Sequence, residues 1–440
     1  MLLANRRYTK EAVDIAEQVA NEVEVRHAKW LVSIKYLLDQ SNVDSLLSLQ
    51  GRYCDDVIFS ENERITRNQR ILLECEQARV KEKRERVQDR QNTLSENERI
   101  TRNQRILLEC EQARVKEKRE RVQDRQNTLK RVVADVSRHT EHLLVKKLLS
   151  NPIDKLFNGI PHFDHLSSFA YSPSLSFSKL STLTTLSHQL SSSVVDLVSN
   201  PKFCERIGKA AKGVTDAKVA IGQIGIENCR LLFPVLMARP MLKWSDANTK
   251  LIAPKMWQHM IVTANVTRMR LSDAGFKAPD VGILLGVLRT VGQFLIANHF
   301  THTFEDALVE TMIKYREQDK REEYYACAEV MANISFLPKV IHELEAQLSQ
   351  RVLDSLDWSP NSVFVKTAVQ EDLDKVPVEN RNIAGAALAQ ARAYSIYDGL
   401  NQSNAFVEKH KPYWLARVQM PGSALKEIQA RVPGRLMLSK

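Results

Sequence analysis

The stretch VGILLGVLRTVGQFLIANH, residues 281–299, contains the most apolar window of the chain and points to its fold class. Its apolar side chains recur at helical spacing and predict one buried helix face, formed by Leu284, Leu288, Val291 and Leu295. A glycine inside a helix costs about 1 kcal/mol relative to alanine, so Gly282, Gly286 and Gly292 indicate close helix–helix approach. Because Arg289 and Gln293 interrupt the apolar run, we predict a core helix rather than a membrane span.

The composition is that of an ordinary soluble protein, with 440 residues, 43% hydrophobic and 26% charged. A net charge of +10 is spread along the chain and permits an acidic partner without requiring one. The six cysteines form no CxxC pair and no metal-ligand spacing, which favours reduced thiols. The N-terminal residues lack the apolar core of a signal peptide. We therefore expect a cytoplasmic, all-α protein that contains no cofactor.

Residues 1–59 are predicted to form a helical hairpin. The first helix covers 9–28, with Thr9 as its N-cap, and a second passes through Trp30 to Leu38. A sensor or docking module is the alternative, but packing of the hairpin on the next element is the simpler interpretation.

Residues 60–150 are predicted to form one long charged helix. The 35 residues 60–94 are repeated without change as 95–129, by recent duplication or by an assembly artefact. Since 35 residues are five heptads, the repeat preserves helical phase. An unbroken helix over 61–147 would be roughly 130 Å long.

The long helix has a weak apolar seam. Every seventh side chain along one line of the helix is apolar over most of its length, as in Val80, Val87, Val115 and Val122. The second seam position is mostly polar, whereas a strong two-stranded coiled coil requires both to be apolar. We interpret the helix as an arm that self-associates, with a solitary solvated arm as the alternative. Acidic residues are interleaved along this helix and aromatic residues are absent from 60–129, which argues against nucleic-acid binding.

Residues 151–171 are predicted to be an irregular linker that contains the sequence PHFDH. His162, Asp164 and His165 lie close together there, which raises the possibility of a metal site. No fourth ligand has supporting spacing, and we therefore expect solvated polar groups and no metal.

The remaining chain reads as helices without a convincing strand. The predicted helices are 178–199, 202–211, 216–221, 226–239, 254–271, 281–299, 303–317, 320–334, 338–356, 363–373 and 382–401. Residues 404–440 are rich in Lys and Arg and predict a basic, partly ordered tail.

Residues 172–403 resemble the HDOD domain, a helical signalling module related to the HD superfamily of metal phosphohydrolases. The resemblance rests on several short matches in order, none specific alone: SPSL at 172–175, Asn200-Pro201, AIGQIG at 220–225, WQH at 257–259, GVLRTVG at 286–292 and LDWSP at 356–360. HD enzymes carry Gly-Leu-Leu-His-Asp-Ile-Gly where this chain has GVLRTVG. Two departures are the weak match at 210–213 and the lack of any histidine between His342 and His410.

The resemblance implies that the metal-binding His-Asp dyad is replaced by Arg289 and Thr290. A guanidinium cannot ligate a cation, and a threonine hydroxyl is a poor substitute for a carboxylate. His259 occupies the position of the first histidine and is expected to be a core residue. We predict no catalytic residues, and a possible partner or ligand pocket at His259, Arg289 and Thr290.

Three functions follow in order of preference. The first is a non-catalytic regulatory protein whose HDOD domain binds an unidentified protein partner and whose arm self-associates. The second is an HD-type phosphohydrolase of nucleotides, which needs a metal-activated water. The third is a structural coiled coil with weak nucleic-acid association, recognisable by salt-dependent affinity.

Overall fold

A computed structural model of the chain describes residues 10–33 and 102–439, except 173, 212, 244–246 and 333. Within these residues the chain is helical and contains no β-strand, which confirms the all-α prediction. Helices are numbered along the described residues as α1 Lys10–Val32, α2 Arg102–Ser150, α3 Ile153–Phe157, α4 Phe163–Phe169, α5 Phe177–Leu186, α6 His188–Ser199, α7 Pro201–Arg206, α8 Ala217–Ile224, α9 Ile226–Ala238, α10 Ala247–Asp273, α11 Val281–Thr290, α12 Gly292–Glu317, α13 Arg321–Ala326, α14 Leu337–Asp354, α15 Val363–Leu373, α16 Ile383–Gln402, α17 Lys411–Ala416 and α18 Gly422–Ala430.

The described residues fall into two compact units. The first contains α1, the chain from 137 to 307 and the chain from 332 onward. In it α10 packs along α11 and α16, and α11 also contacts α9, α14 and α15. Every residue of α11 is buried, so this helix is the centre of the unit, as its sequence predicted.

The glycines of the central stretch allow close helix contacts. A Cβ atom at Gly282 would overlap the backbone of Arg268, and one at Gly286 would overlap the backbone of Ala264, both on α10. A Cβ atom at Gly292 would meet Ser349 and the carbonyl of Glu345 on α14. The close approach expected from these glycines is confirmed.

The predicted helix 281–299 is not continuous. It ends at Thr290, and a second helix begins at Gly292 and runs through the predicted gap at 300–302 to Glu317. The amide of Gly292 donates to Oγ of Ser349 at 3.2 Å, so a side chain of α14 accepts a hydrogen bond from the backbone at the break.

The second unit contains residues 102–136 of α2 together with 308–331. Tyr315 donates its hydroxyl to Asp135 at 2.8 Å, and Arg131 pairs with Glu323 at 3.3 Å. Farther towards the start of α2, Val115 and Val122 are half exposed, at 50% and 51%. Residues 1–9 and 34–101, which include Thr9, the end of the predicted hairpin and the first repeat copy, lie outside the described residues.

Three expectations need correction. Trp30 belongs to the first helix, which continues to Val32, rather than to a second one. Residues 151–171, expected to be irregular, contain the short helices α3 and α4, whose buried side chains include Phe157 and Phe163. The basic residues 404–440 are packed rather than loosely attached, since Trp414 and Ile428 are buried.

Smaller differences concern helix bounds. The predicted helix 178–199 is interrupted at Ser187, whose hydroxyl accepts from the amide of Leu190 and caps α6. Asn200 caps α7 in the same way, with Pro201 in the first helical position.

One described run, Val281–Glu317, is long and apolar enough to cross a membrane, and its most apolar window lies inside the protein. The segments Ala217–Ile224 and Ile226–Met241 meet that test only together and are bent by 118°. Core helices of globular proteins have the same composition, and the apolar window of this run lies in the core.

Candidate functional site

Helix α11 places Arg289 in the core, where 3% of its surface is exposed. Its Nη1 donates to Oε1 of Glu345 at 2.8 Å, and its Nε donates to Oδ2 of Asp372 at 2.5 Å. Nη1 of Arg381 donates to the other oxygen of Asp372 at 2.6 Å. We call these four side chains the Arg289 cluster. It ties α11 to α14 and α15 and balances two guanidinium groups with two carboxylates.

The Arg289 cluster keeps its central carboxylate ionised. Burial would raise the pKa of Asp372, but the positive charges of Arg289 and Arg381 outweigh it and hold this pKa well below its ordinary value. A buried carboxylate that is bonded on both oxygens to arginines has little free capacity for a cation.

Thr290 and His259 are also buried, and both have partners. The hydroxyl of Thr290 donates to the carbonyls of Gly286 at 2.9 Å and Val287 at 3.1 Å, within its own helix. Nδ1 of His259, on α10, lies 2.8 Å from Oγ of Ser395 on α16. Burial, and next the charges near it, lower the pKa of His259 well below its ordinary value, so the ring is neutral.

Helix α1 supplies the residues that complete the site. Its end is fixed by Lys255, whose Nζ donates to the carbonyl of Trp30 at 2.9 Å and to that of Ser33. Burial lowers the pKa of Lys255 to about 7. Gly399 leaves room for the Trp30 indole, which a Cβ atom there would crowd. These contacts position α1 against α10 and α16.

Two side chains of α1 face this region. The ring of His27 lies 4.4 Å from that of His259, and its pKa is lowered to about 3, mainly by burial and next by Arg392. Glu24 accepts from Nη1 of Arg392 at 3.1 Å and lies 3.5 Å from Arg417 and 3.7 Å from Lys375. We call Glu24, Lys375, Arg392 and Arg417 the Glu24 cluster.

The charges of the Glu24 cluster stabilise one another. Burial would raise the pKa of Glu24, but Arg392, Arg417 and Lys375 lower it to about 2. Burial would lower the pKa of Arg392, but Glu24, Asp372 and Glu345 raise it above its ordinary value. Both groups are therefore charged at neutral pH.

Both clusters line one cavity of about 100 Å³ between α1 and the helices α14 to α17. It is large enough for several water molecules. Of the three residues that the sequence assigned to a pocket, Arg289 lines the cavity directly. His259 contacts the ring of His27 and does not line the cavity, and the hydroxyl of Thr290 is hydrogen-bonded within its own helix.

Comparison with known protein families identifies part of this chain. Residues 163–332 match the family model of the HDOD domain. This segment is an HDOD domain. HDOD domains are generally non-catalytic signalling or regulatory domains related to HD phosphohydrolases. No curated protein and no solved structure gives a significant match to the chain.

The HDOD match and the cavity overlap only in part. The match begins in α4 and includes Arg289. Glu24 and His27 precede it, and the cavity residues of α14 to α17 follow it. The HDOD segment thus supplies one central arginine, while flanking helices supply most of the charged lining.

Sequence reasoning missed these flanking residues because their contacts are long-range. Arg392 and Glu24 are 368 residues apart in the chain, so no local spacing indicates their pairing. The one sequence signal is a polar residue near the apolar face of an amphipathic helix, such as Glu24 or His27.

The PHFDH segment does bring its polar side chains together, at the start of the HDOD domain. Ligand atoms of His162, Asp164 and His165 lie within 4.8 Å of one another. Nε2 of His165 is 3.9 Å from Oδ2 of Asp164, which also accepts from the Asp357 amide at 3.3 Å. The two histidines are exposed and Asp164 is buried, and none of them lines the cavity.

Proposed function

We propose that the protein is a non-catalytic, cytoplasmic regulatory protein whose HDOD domain acts through protein–protein contacts. The observation that carries the proposal is the Arg289 cluster. A buried guanidinium that is paired with Glu345 and Asp372 occupies the position at which the resemblance has the metal-binding histidine. The carboxylates beside it already accept hydrogen bonds from guanidinium groups, which leaves little capacity to ligate a divalent cation there.

The phosphohydrolase alternative requires a set of imidazoles and carboxylates that holds a metal and activates water. Among the described residues, three potential metal ligands lie close together at His162, Asp164 and His165. It lies outside the cavity, and two of its members are exposed. This arrangement favours the non-catalytic proposal.

The test is metal content by elemental analysis, thermal unfolding with Mn²⁺, Mg²⁺, Zn²⁺ or EDTA, and hydrolysis assays on nucleotides. We expect no hydrolysis, and no metal-dependent shift in unfolding temperature that persists when the PHFDH segment is altered. A His165→Gln variant is the control, because it removes any metal bound at the PHFDH segment while leaving the cavity intact. A metal that stabilises this variant as well, together with nucleotide hydrolysis, would overturn the proposal.

For the arm, we propose that a second copy of the chain packs on the seam that includes Val115 and Val122. The support is a seven-residue apolar spacing and the half exposure of both side chains. A partner helix that covered them would bury apolar surface worth about 25 cal/mol per Å².

The arm is tested by changing the seam in both repeat copies at once, with Val87 and Val122 replaced by Asp. Ala78 and Ala113, replaced by Asp, are the matched control, because the seven-residue spacing of the sequence places them away from the seam. Sedimentation should show a dimer or higher oligomer for the wild type and control, and a monomer for the seam variant. A monomeric wild-type protein at micromolar concentration would rule out self-association through this seam.

A further inference from the structure

The cavity described above carries more positive than negative charge. Five cationic side chains line it, against three carboxylates. The two clusters do not share this excess equally. The Arg289 cluster has two cations and two carboxylates, whereas the Glu24 cluster has three cations and one carboxylate. The excess of two positive charges therefore lies at the Glu24 end.

Hydrogen-bonding capacity is also unused at this end. Nε of Arg392 and Nε2 of His27 are buried, and neither has a hydrogen-bond partner among the described residues. Both side chains line the cavity. A buried donor without a partner costs free energy, and a buried positive charge is normally compensated by an anion. An anion in the cavity would satisfy both needs.

We propose that the Glu24 end of the cavity binds the phosphate group of a small ligand. A dianion matches the two uncompensated positive charges, and the planar forks of Arg392 and Arg417 suit phosphate oxygens. His27 contributes a neutral ring nitrogen, and the exposed Lys375 stands where a ligand can enter from solvent. This inference rests on the proposed non-catalytic role of the site and adds a ligand class to it.

The carboxylate of Glu24 competes with a phosphate ligand for the same cations. It contacts the same three cations that would hold the phosphate. Since Glu24 belongs to α1, phosphate binding and the docking of this helix share one set of charges. The two processes are therefore coupled reciprocally. Phosphate binding changes the docking equilibrium of α1 by the same factor by which docking of α1 changes the affinity for phosphate.

The experiment measures binding of inorganic phosphate and of adenosine 5′-monophosphate to the full chain by calorimetry and thermal shift, with sodium chloride at equal ionic strength as the reference. Removing the competing charge in Glu24→Gln should tighten phosphate binding about tenfold, and Arg417→Gln should weaken it about tenfold, the usual effect of one charge-assisted hydrogen bond. Glu22→Gln is the matched control on the same helix. It removes a carboxylate that pairs with Arg26 at 2.8 Å, and it should leave affinity unchanged.

The two probes distinguish the source of the phosphate. Tighter binding of the nucleotide than of inorganic phosphate assigns a phosphorylated metabolite, and equal affinity assigns free phosphate. If Arg417→Gln does not fold, Lys375→Gln replaces it, because Lys375 is mostly exposed. Failure of both probes to bind, or equal responses of Glu24→Gln and Glu22→Gln, would overturn the inference. Hydrolysis of the nucleotide would instead overturn the proposed non-catalytic function and leave phosphate binding standing.

Discussion

The Arg289 and Glu24 clusters line one cavity and both pair basic side chains with carboxylates, yet they differ in burial and in charge balance. The Arg289 side chain is 4% exposed, and each charged group of the Arg289 cluster has a partner of opposite charge. At the other end, the Lys375 side chain is 64% exposed and one carboxylate serves three cations. A balanced, enclosed cluster fixes helices in place, whereas an unbalanced and accessible one can respond to a ligand. The comparison therefore separates a structural end from a binding end.

The largest expected effect is the loss of the central carboxylate at the structural end. Asp372→Ala leaves Arg289 and Arg381 buried without their shared partner, and should lower the free energy of unfolding by about 3–5 kcal/mol. Asp374→Ala, at an exposed aspartate two residues along, is the matched control and should change it little. Urea unfolding measures both. A cost below about 1 kcal/mol for Asp372→Ala would mean that the cluster is not structural.

A second variant tests the helix that carries Arg289. Gly286→Ala forces a Cβ atom against the backbone of Ala264 on α10, and should cost about 1–3 kcal/mol of stability. Gly222→Ala is the control, because a Cβ atom at this helical glycine has no neighbour within 4 Å. There the substitution should be neutral or stabilising by up to about 1 kcal/mol. Equal effects of the two changes would contradict the close packing of α11 on α10.

Much of the structural end could be predicted from local sequence. Apolar spacing located α11, its glycines indicated close packing, and the Arg289-Thr290 pair marked the altered dyad. The break at Val291 escaped prediction because both flanking helices are buried and keep the same apolar pattern across it. At the break the Gly292 amide donates to Ser349, which is far away in the chain and which no local pattern indicates.

The binding end could not be predicted in this way. Glu24, Lys375, Arg392 and Arg417 come from four chain segments. The sequence places Glu24 and Arg392 on predicted helices, Lys375 between two of them, and Arg417 in a basic tail. The tail assignment followed from its charge, yet Trp414 beside Arg417 is buried and anchors it. Charge composition alone does not distinguish a free tail from a packed one whose basic residues pair with distant carboxylates.

The stability of the protein should depend on pH through His27, which lines the cavity. His27 has a folded-state pKa of about 3, below the value of 6.5 for an unperturbed histidine, so protonation favours the unfolded chain. Stability is therefore present above pH 6.5 and is lost as the pH falls towards 3. At pH 5 the loss from this one group is about 2 kcal/mol. Burial of His259 acts in the same direction.

Denaturant unfolding between pH 7 and pH 5 measures this effect. His27→Gln should flatten the decline, and His302→Gln, at a histidine that is 70% exposed, should not. Asp372 and Glu24 cannot account for a decline in this window, because their pKa values lie below the ordinary carboxylate range and their contribution is lost only at lower pH. An unchanged slope in His27→Gln would show that this ring takes up protons equally in the folded and unfolded chain, against the lowered pKa.

The smallest expected effect on stability lies at the mouth of the cavity. Lys375→Gln removes an exposed charge 3.7 Å from Glu24, and should change the free energy of unfolding by less than about 1 kcal/mol. Lys366→Gln is the matched control, because Lys366 pairs with Asp354 at 2.9 Å and does not line the cavity. Both variants should unfold almost as the wild type does, but only Lys375→Gln should weaken binding of inorganic phosphate. A change that hardly affects folding and still lowers phosphate affinity would separate the two ends by function, whereas equal phosphate affinities for the two variants would mean that the mouth of the cavity takes no part in binding.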